Sequence, residues 1–357
     1  LEFKGMKYPY LLLSDTHYHA WDAFSTINED GVNSRLQIIL DETGAAFEHL
    51  VREGGDTVFH AGDMFHTRGS LVPSVVNPTR RLYQKMQTAT LGNVYAIAGN
   101  HDLESNETKW LTAATAMMGV IFAVDTKRVG NVILVNWYPR VEDLYDDLVL
   151  LAAKTEDRAD CDLIIHAPVD GILSLPNHGL TASMLASLGF KRVFSGHYHN
   201  HKDMGSGVYS IGALTHQTWS DVGSKAGYCL VYEDRVEWHE SKAPKFVDLP
   251  PAAFEEKYRE ELVGWVKGNY CRVSLPESPT VREEAAMRAA LKDSGAVGVL
   301  LRCANLSRTA MTTKRSETSG IDNIATMVDK YAELKGGKDL AALCAKILGS
   351  ESAGVSL

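Results

Sequence analysis

Phe59-His60-Ala61-Gly62-Asp63-Met64-Phe65-His66-Thr67-Arg68 is where the chain shows its plan most clearly. A short apolar run, Thr57 to Ala61, breaks at a glycine and delivers an aspartate, then a histidine three residues later. The same event recurs on either side. Tyr10 to Ser14 ends in Asp15-Thr16-His17, and Val94 to Ala98 ends in Gly99-Asn100-His101-Asp102. Leu163 to His166 closes on a histidine, and Val193 to Ser195 runs into Gly196-His197-Tyr198-His199. Val132 to Trp137 and Val208 to Ile211 are further β-like runs. Between the first two strands, Leu36, Ile39, Leu40, Phe47, Leu50 and Val51 recur at helical spacing and predict a helix over Ser34 to Arg52, with Gly44 in its middle. Helices are also expected at Thr79–Thr88, Thr108–Met118, Glu142–Lys154 and Thr181–Leu188, and a hairpin over Gly227–Glu240 turning near Asp234. Strand and helix in alternation predict an α/β fold built on a layered β-sheet.

In an open α/β sheet the strand ends face one crevice, so residues far apart in sequence meet there. The polar residues carried to those ends are Asp15, His17, Asp63, Asn100, His101, His166, His197 and His199. The list holds oxygen and imidazole donors and no sulfur. Such donors suit Mn²⁺, Fe or Zn²⁺, whereas Mg²⁺ takes fewer nitrogens. Any single Asp-x-His or Gly-Asp is common by chance; five such motifs in order, each at a strand end, are what point to a metal site.

The chain has 357 residues, which at ~150 residues per domain is more than one small domain. With 36 Lys+Arg and 45 Asp+Glu its formal charge is −9, which argues against a bulk electrostatic nucleic-acid binder. That acidity is local: residues 1 to 250 carry 21 basic and 31 acidic side chains, and the remainder 15 and 14. Five cysteines, Cys161, Cys229, Cys271, Cys303 and Cys344, form no CxxC pair, so neither a disulfide framework nor a zinc knuckle is indicated and a cytoplasmic setting is expected. No apolar run reaches the ~18 to 20 residues of a membrane span. Leu1 to Gly5 read as an added remnant ahead of a start at Met6.

Leu249-Pro250-Pro251-Ala252-Ala253 interrupts the pattern and suggests a boundary. Three segments are expected: 6–248, carrying all the strand-end motifs; 249–305, a small α/β capping domain; and 306–357, a polar loop and C-terminal helices. The capping domain would hold a strand over Cys271–Leu275, a helix opened by Thr280 and Glu283, and a strand over Ala296–Arg302. The closing helices would carry Ile324, Val328, Tyr331 and Leu334, then Leu340, Leu343, Ile347 and Leu348.

The order Asp15/His17, Asp63, Asn100/His101, His166, His197/His199 resembles the calcineurin-like metallophosphoesterase superfamily over about residues 8 to 240. The resemblance implies two divalent ions, Mn²⁺ foremost. Asp15, His17, Asp63 and His199 would hold one, and Asp63, Asn100, His166 and His197 the other, with Asp63 bridging. It implies that His101 faces the substrate. Where protein phosphatases of the superfamily place an acid three residues after the bridging aspartate, this chain has His66, which resembles the double-strand-break repair nucleases, whose bacterial member is SbcD. Val94-Tyr-Ala-Ile-Ala-Gly-Asn-His-Asp102 and Tyr209-Ser-Ile-Gly-Ala-Leu214 resemble the same branch, and the compact size resembles the recombination nuclease subunits of tailed phages. The branch implies 3′ to 5′ exonuclease action on duplex DNA ends with single-strand endonuclease action in a bacterial cell or phage-infected host. It also implies a coiled-coil ABC-type ATPase partner of the SbcC kind docking on Ile321–Leu348, and a homodimer. His66 would then act beside His101. The rival is a small-molecule phosphodiesterase acting on cyclic nucleotides or nucleotides, which shares every ligand. A scaffold with a silent metal site is disfavoured by the complete ligand set.

Other residues carry weaker expectations. Arg68, and the acid-free set Arg302, Arg308, Lys314 and Arg315, are candidate phosphate contacts. His19, His60, His201 and His216 are expected to orient neighbours, and Trp137, Trp219 and Trp238 to serve packing.

Overall fold

The computed structural model describes residues 7–303 except 70, 106, 109, 117, 124–125, 174–177 and 256–257. The expected polar loop and closing helices, with Arg308, Lys314, Arg315 and Cys344, lie outside the described residues. In chain order the elements are Tyr10–Leu13 (β1), Ser34–Arg52 (α1), Val58–His60 (β2), Pro73–Ala89 (α2), Val94–Ala96 (β3), Ala113–Ala116 (α3), Ile121–Phe122 (β4), Thr126–Val129 (β5), Val132–Val135 (β6) and Val141–Lys154 (α4). They continue with Asp162–His166 (β7), Ala182–Ser187 (α5), Arg192–Gly196 (β8), Lys202–Asp203 (β9), Val208–Ser210 (β10), Gly227–Val231 (β11) and Val236–Glu240 (β12).

The strands form two mixed sheets, in the orders β12-β11-β1-β2-β3-β4 and β5-β6-β7-β8-β10-β9. Side-chain alternation explains the layering. Leu11 and Leu13 of β1 point one way, into a cluster with Leu36, Ile39 and Leu50 of α1 and Val75, Tyr83 and Met86 of α2. Tyr10 and Leu12 point the other way and meet Val132, Leu134, Ile164 and Phe194 of the second sheet. That sheet's opposite face, with Leu163 and Ile165, packs on Leu144 and Leu148 of α4 and Leu185 of α5. The result is helix, sheet, sheet, helix, with both sheets buried on both sides, which is why the central strands read as continuous apolar runs. The parallel pairs β1–β2–β3 and β6–β7–β8 bring their C-terminal ends to one edge.

Asn33 caps α1 by accepting from the backbone of Arg35 and Leu36. α2 starts at Pro73, six residues before the expected Thr79, and passes through Pro78. The missing N–H of Pro78 costs one helical bond, but Val75, Pro78, Thr79, Tyr83 and Met86 are all buried, so packing outweighs the break. Of the helix expected over Thr108–Met118, only Ala113–Ala116 is helical among the described residues.

By internal contacts the chain divides into two compact units. Among the described residues, one comprises those up to Val273 together with Glu283–Leu300, and the other Ser274–Arg282 and Leu301–Cys303. Phe246–Leu249 (β13), Tyr270–Leu275 (β14) and Gly298–Cys303 (β15) make a three-stranded sheet, accompanied by Arg259–Val266 (α6) and Val281–Asp293 (α7). No helix among the described residues is long and apolar enough to cross a membrane.

Candidate metal centre

Three of the strand ends, those of β1, β2 and β8, turn sharply to present their polar residues. Asp15, His17, Asp63 and His197 have φ of 49°, 43°, 56° and 101°, left-handed values that cost non-glycine residues roughly 1–3 kcal/mol each. Such strain at consecutive donors persists only where the surroundings hold it. Asp102 supplies part of that hold: one carboxylate oxygen accepts from the backbone N–H of Asp63 (2.6 Å) and Gly99 (3.0 Å), the other from Met64 (3.0 Å). The turns also need room. A Cβ on Gly99 would lie 2.2 Å from Asp63 Oδ1, and one on Gly196 would lie 2.5 Å from the Ala61 carbonyl and 2.9 Å from His166 Nδ1.

Besides a cluster of His17, His66 and His101, two groups of donors result, Asp15 with His17 and His199, and Asp63 with His166 and His197, the ligand atoms of each of the three lying within 4.8 Å of one another. Asp63 stands between them, its Oδ2 being 3.6 Å from His17 Nε2 and 3.5 Å from His166 Nε2. Asn100 joins the second group, with Oδ1 3.1 Å from His197 Nδ1 and 3.3 Å from His166 Nε2. The structure thus gathers all seven residues named from the strand ends as ligands. Outer partners aim the rings: His166 Nδ1 donates to the Ala61 carbonyl at 2.7 Å, and His199 Nδ1 to Asp221 Oδ1 at 2.8 Å.

The charges of the donors are strongly coupled. Burial resists ionisation of Asp63, but His166, His17 and His101 outweigh it and hold the carboxyl well below its usual range. Burial likewise opposes charge on His166, yet Asp63, Asp15 and the Ala61 carbonyl push it up to about 9. His17 is driven well down, by burial first. Asp15, wholly buried, is raised by desolvation and then by the like charge of Asp63, after the opposing pull of His166. Its Oδ1 has no hydrogen-bond partner. His17 Nε2 and His199 Nε2 face each other at 3.3 Å. An orphan carboxylate oxygen beside two converging imidazole nitrogens is what a divalent ion satisfies, and the donor set fits Mn²⁺, Fe or Zn²⁺.

His101 and His66 border this centre. His101 Nδ1 donates to the backbone carbonyl of His66 at 2.6 Å, and its own N–H is held by Asp63 Oδ1 at 2.8 Å. The rings stack at 5.5 Å and 18°. Burial, then His101 and His19, lowers His66 to about 4, so its imidazole is neutral at pH 7. Trp21 packs against it, 4.5 Å between centroids. A cavity of about 210 Å³ opens onto His17, Asp63, His66, Asn100, His101 and His199.

The remaining candidates fall outside that cavity. Arg68 does not line it. His60 hydrogen-bonds Thr16 at 3.0 Å, His216 receives the N–H of Phe246 at 3.1 Å, and His201 stacks on Trp238 at 4.9 Å, all orienting contacts. Trp137 packs on His197, 5.2 Å between centroids. Asp221 and Gln217 were not among the residues picked out from the sequence. Thr218-Trp-Ser-Asp221 does carry a capping-box spacing, and the box forms, so a structured turn there had a local signal.

A two-sheet sandwich with paired carboxylate and imidazole groups at its strand ends is the architecture of a dinuclear metal-dependent phosphoesterase. The chain belongs to the calcineurin-like phosphoesterase family, whose sequence model matches residues 8–201. That family implies two divalent ions and hydrolysis of phosphate esters. Among solved structures, a dimetal phosphatase from Danio rerio matches with 12% identity and a TM-score of 0.35, covering 65% of this chain and 95% of that one. The nuclease MPE of Pseudomonas putida matches with 15% identity and a TM-score of 0.31, covering 64% of this chain and 87% of that one. No curated protein matches the sequence.

Proposed function

We propose that the protein is a metal-dependent DNA nuclease of the double-strand-break repair type, hydrolysing phosphodiester bonds with two Mn²⁺ ions. Asp15, His17, His199 and Asp63 would hold one ion, and Asp63, Asn100, His166 and His197 the other. When bound, the ions supply concentrated positive charge for the phosphate oxygens and for an activated water. The protein's own share lies with His101. With Nδ1–H committed to the His66 carbonyl, its Nε2 is the atom that holds or moves a proton, and the departing alkoxide of a diester needs one.

The observation that carries the reading is the stacked His66–His101 pair beside the donor groups. His66 stays neutral and serves as a wall and anchor for His101, a positioning role, while Trp21 extends the wall. Exonuclease polarity, the ATPase partner, the homodimer and a bacterial or phage-infected cytoplasm belong to the same proposal. Deleting Ile321–Leu357 is expected to abolish association with a co-encoded ATPase; unchanged association in a pull-down would remove the docking idea.

The direct test of the site assignment is His101→Ala. Loss of a general acid is expected to lower DNA turnover by about 10²–10⁴-fold, while elemental analysis still finds two ions per chain. Full turnover in that variant, or turnover lost only together with the metals, would refute the assigned role.

A further inference from the structure

Arg35 sits on α1 in a row of buried residues, Leu36, Ile39, Leu40, Ala46 and Leu50, and is itself only 5% exposed. Burying a guanidinium is costly unless something compensates, and an apolar residue would serve the helix better. Among the described residues no carboxylate pairs with it. Its charge is met by two backbone carbonyls, Gln217 at 2.5 Å and Ala23 at 3.3 Å, by a hydrogen bond to the Tyr270 side chain and by the nearby charge of Asp221. Three aromatic faces surround it: Trp21 at 5.2 Å, Phe246 at 5.2 Å and Tyr270 at 5.4 Å.

The carbonyl it grips lies in the segment that aims half of the metal centre. The side-chain amide of Gln217 donates to the Asp15 carbonyl at 2.7 Å. The N–H groups of Gln217 and Thr218 donate to Asp221 Oδ2 at 2.7 and 2.8 Å, and Asp221 Oδ1 takes the N–H of His199. Asp15 and His199, two of the three donors in one group, are thus placed by one short loop, and Arg35 clamps that loop. The other group is held mainly by other partners, His166 by the Ala61 carbonyl and Asn100 by its neighbours His166 and His197, although the backbone N–H of His197 donates to Asp15 Oδ2 at 3.0 Å. Two of the three walls around Arg35 come from β13 and β14, through Phe246 and Tyr270.

We propose that Arg35 is a positioning residue which ties the Asp15/His17/His199 group to strands β13 and β14, so that this one ion site depends on the arginine clamp. The inference rests on the two-metal reading. Metal-free full-length protein titrated with Mn²⁺ by calorimetry and electron paramagnetic resonance tests it without recourse to turnover. Wild type is expected to take up two ions that couple magnetically. Arg35→Ala should keep one ion at wild-type affinity and bind the other about 10- to 100-fold more weakly, giving the signal of an isolated Mn²⁺. Arg35→Lys, which keeps the charge and loses the fork, should fall between them. Gln217→Met removes only the amide link to Asp15 and should weaken the same ion; Arg35→Lys decides the matter if Arg35→Ala does not fold. Two ions bound with wild-type affinity in folded Arg35→Ala, or in Arg35→Lys if the alanine variant does not fold, overturn the inference alone. Wild-type protein that takes up a single ion overturns both the inference and the reading beneath it.

Discussion

Asp63 is the residue on which the site turns. Its backbone is fixed by Asp102, one oxygen holds the N–H of His101, and the other lies between His17 and His166. The pull of Asp63 on His166 has a consequence for pH. With His166 raised to about 9, the metal-free ring carries a proton at pH 7, and ligation requires that proton to leave. Metal affinity should therefore climb as pH rises towards about 9, with proton release on binding. Calorimetry in buffers of different ionisation enthalpy measures this, and an affinity flat above pH 7 with no proton release would contradict it. His66 makes a second prediction. His66→Phe keeps an aromatic ring against His101 and should retain most DNA turnover, whereas His66→Ala should lose about 10- to 100-fold by loosening His101; steady-state rates on labelled DNA compare the two.

At the scale of elements, the two sheets are joined by a buried tie. Arg192 of β8 makes paired hydrogen bonds of 2.7 Å to the carboxylate of Asp162 on β7, and Tyr10 of β1 adds a third at 2.8 Å. Asp162→Ala would leave the guanidinium buried without a counter-charge and is expected to cost about 3–5 kcal/mol. Urea denaturation reads this as a lower midpoint, with a two-metal site still assembled in the folded fraction. Neither this tie nor the division into two sheets was legible in the sequence, because both depend on strands that meet only in three dimensions. The strand ends were legible, since buried parallel strands are bare apolar runs and each run stops at Gly, Asp or His. So was α1, whose apolar spacing follows the helical period. The start of α2 was hidden by Pro78. Arg35, Gln217 and Asp221 were missed because their partners lie 182, 202 and 22 residues away, and no local pattern announces such a pairing.

At the scale of the whole molecule, the formal charge of −9 argued against a polyanionic substrate. Asp15 and Asp63 of the acidic first part now stand in the donor groups, and two divalent ions would add +4 where a phosphate has to sit. DNA should thus be held chiefly through the metals: chelation is expected to abolish binding in a filter or anisotropy assay, and strong binding by metal-free protein would show an independent DNA surface. The most direct measurement is degradation of end-labelled single- and double-stranded DNA with Mn²⁺, with Mg²⁺ and with chelator. Progressive shortening in Mn²⁺, none in chelator, is the predicted result. A protein that carries two ions and hydrolyses a small phosphodiester such as bis(4-nitrophenyl) phosphate, yet leaves both DNA forms intact, would contradict the account.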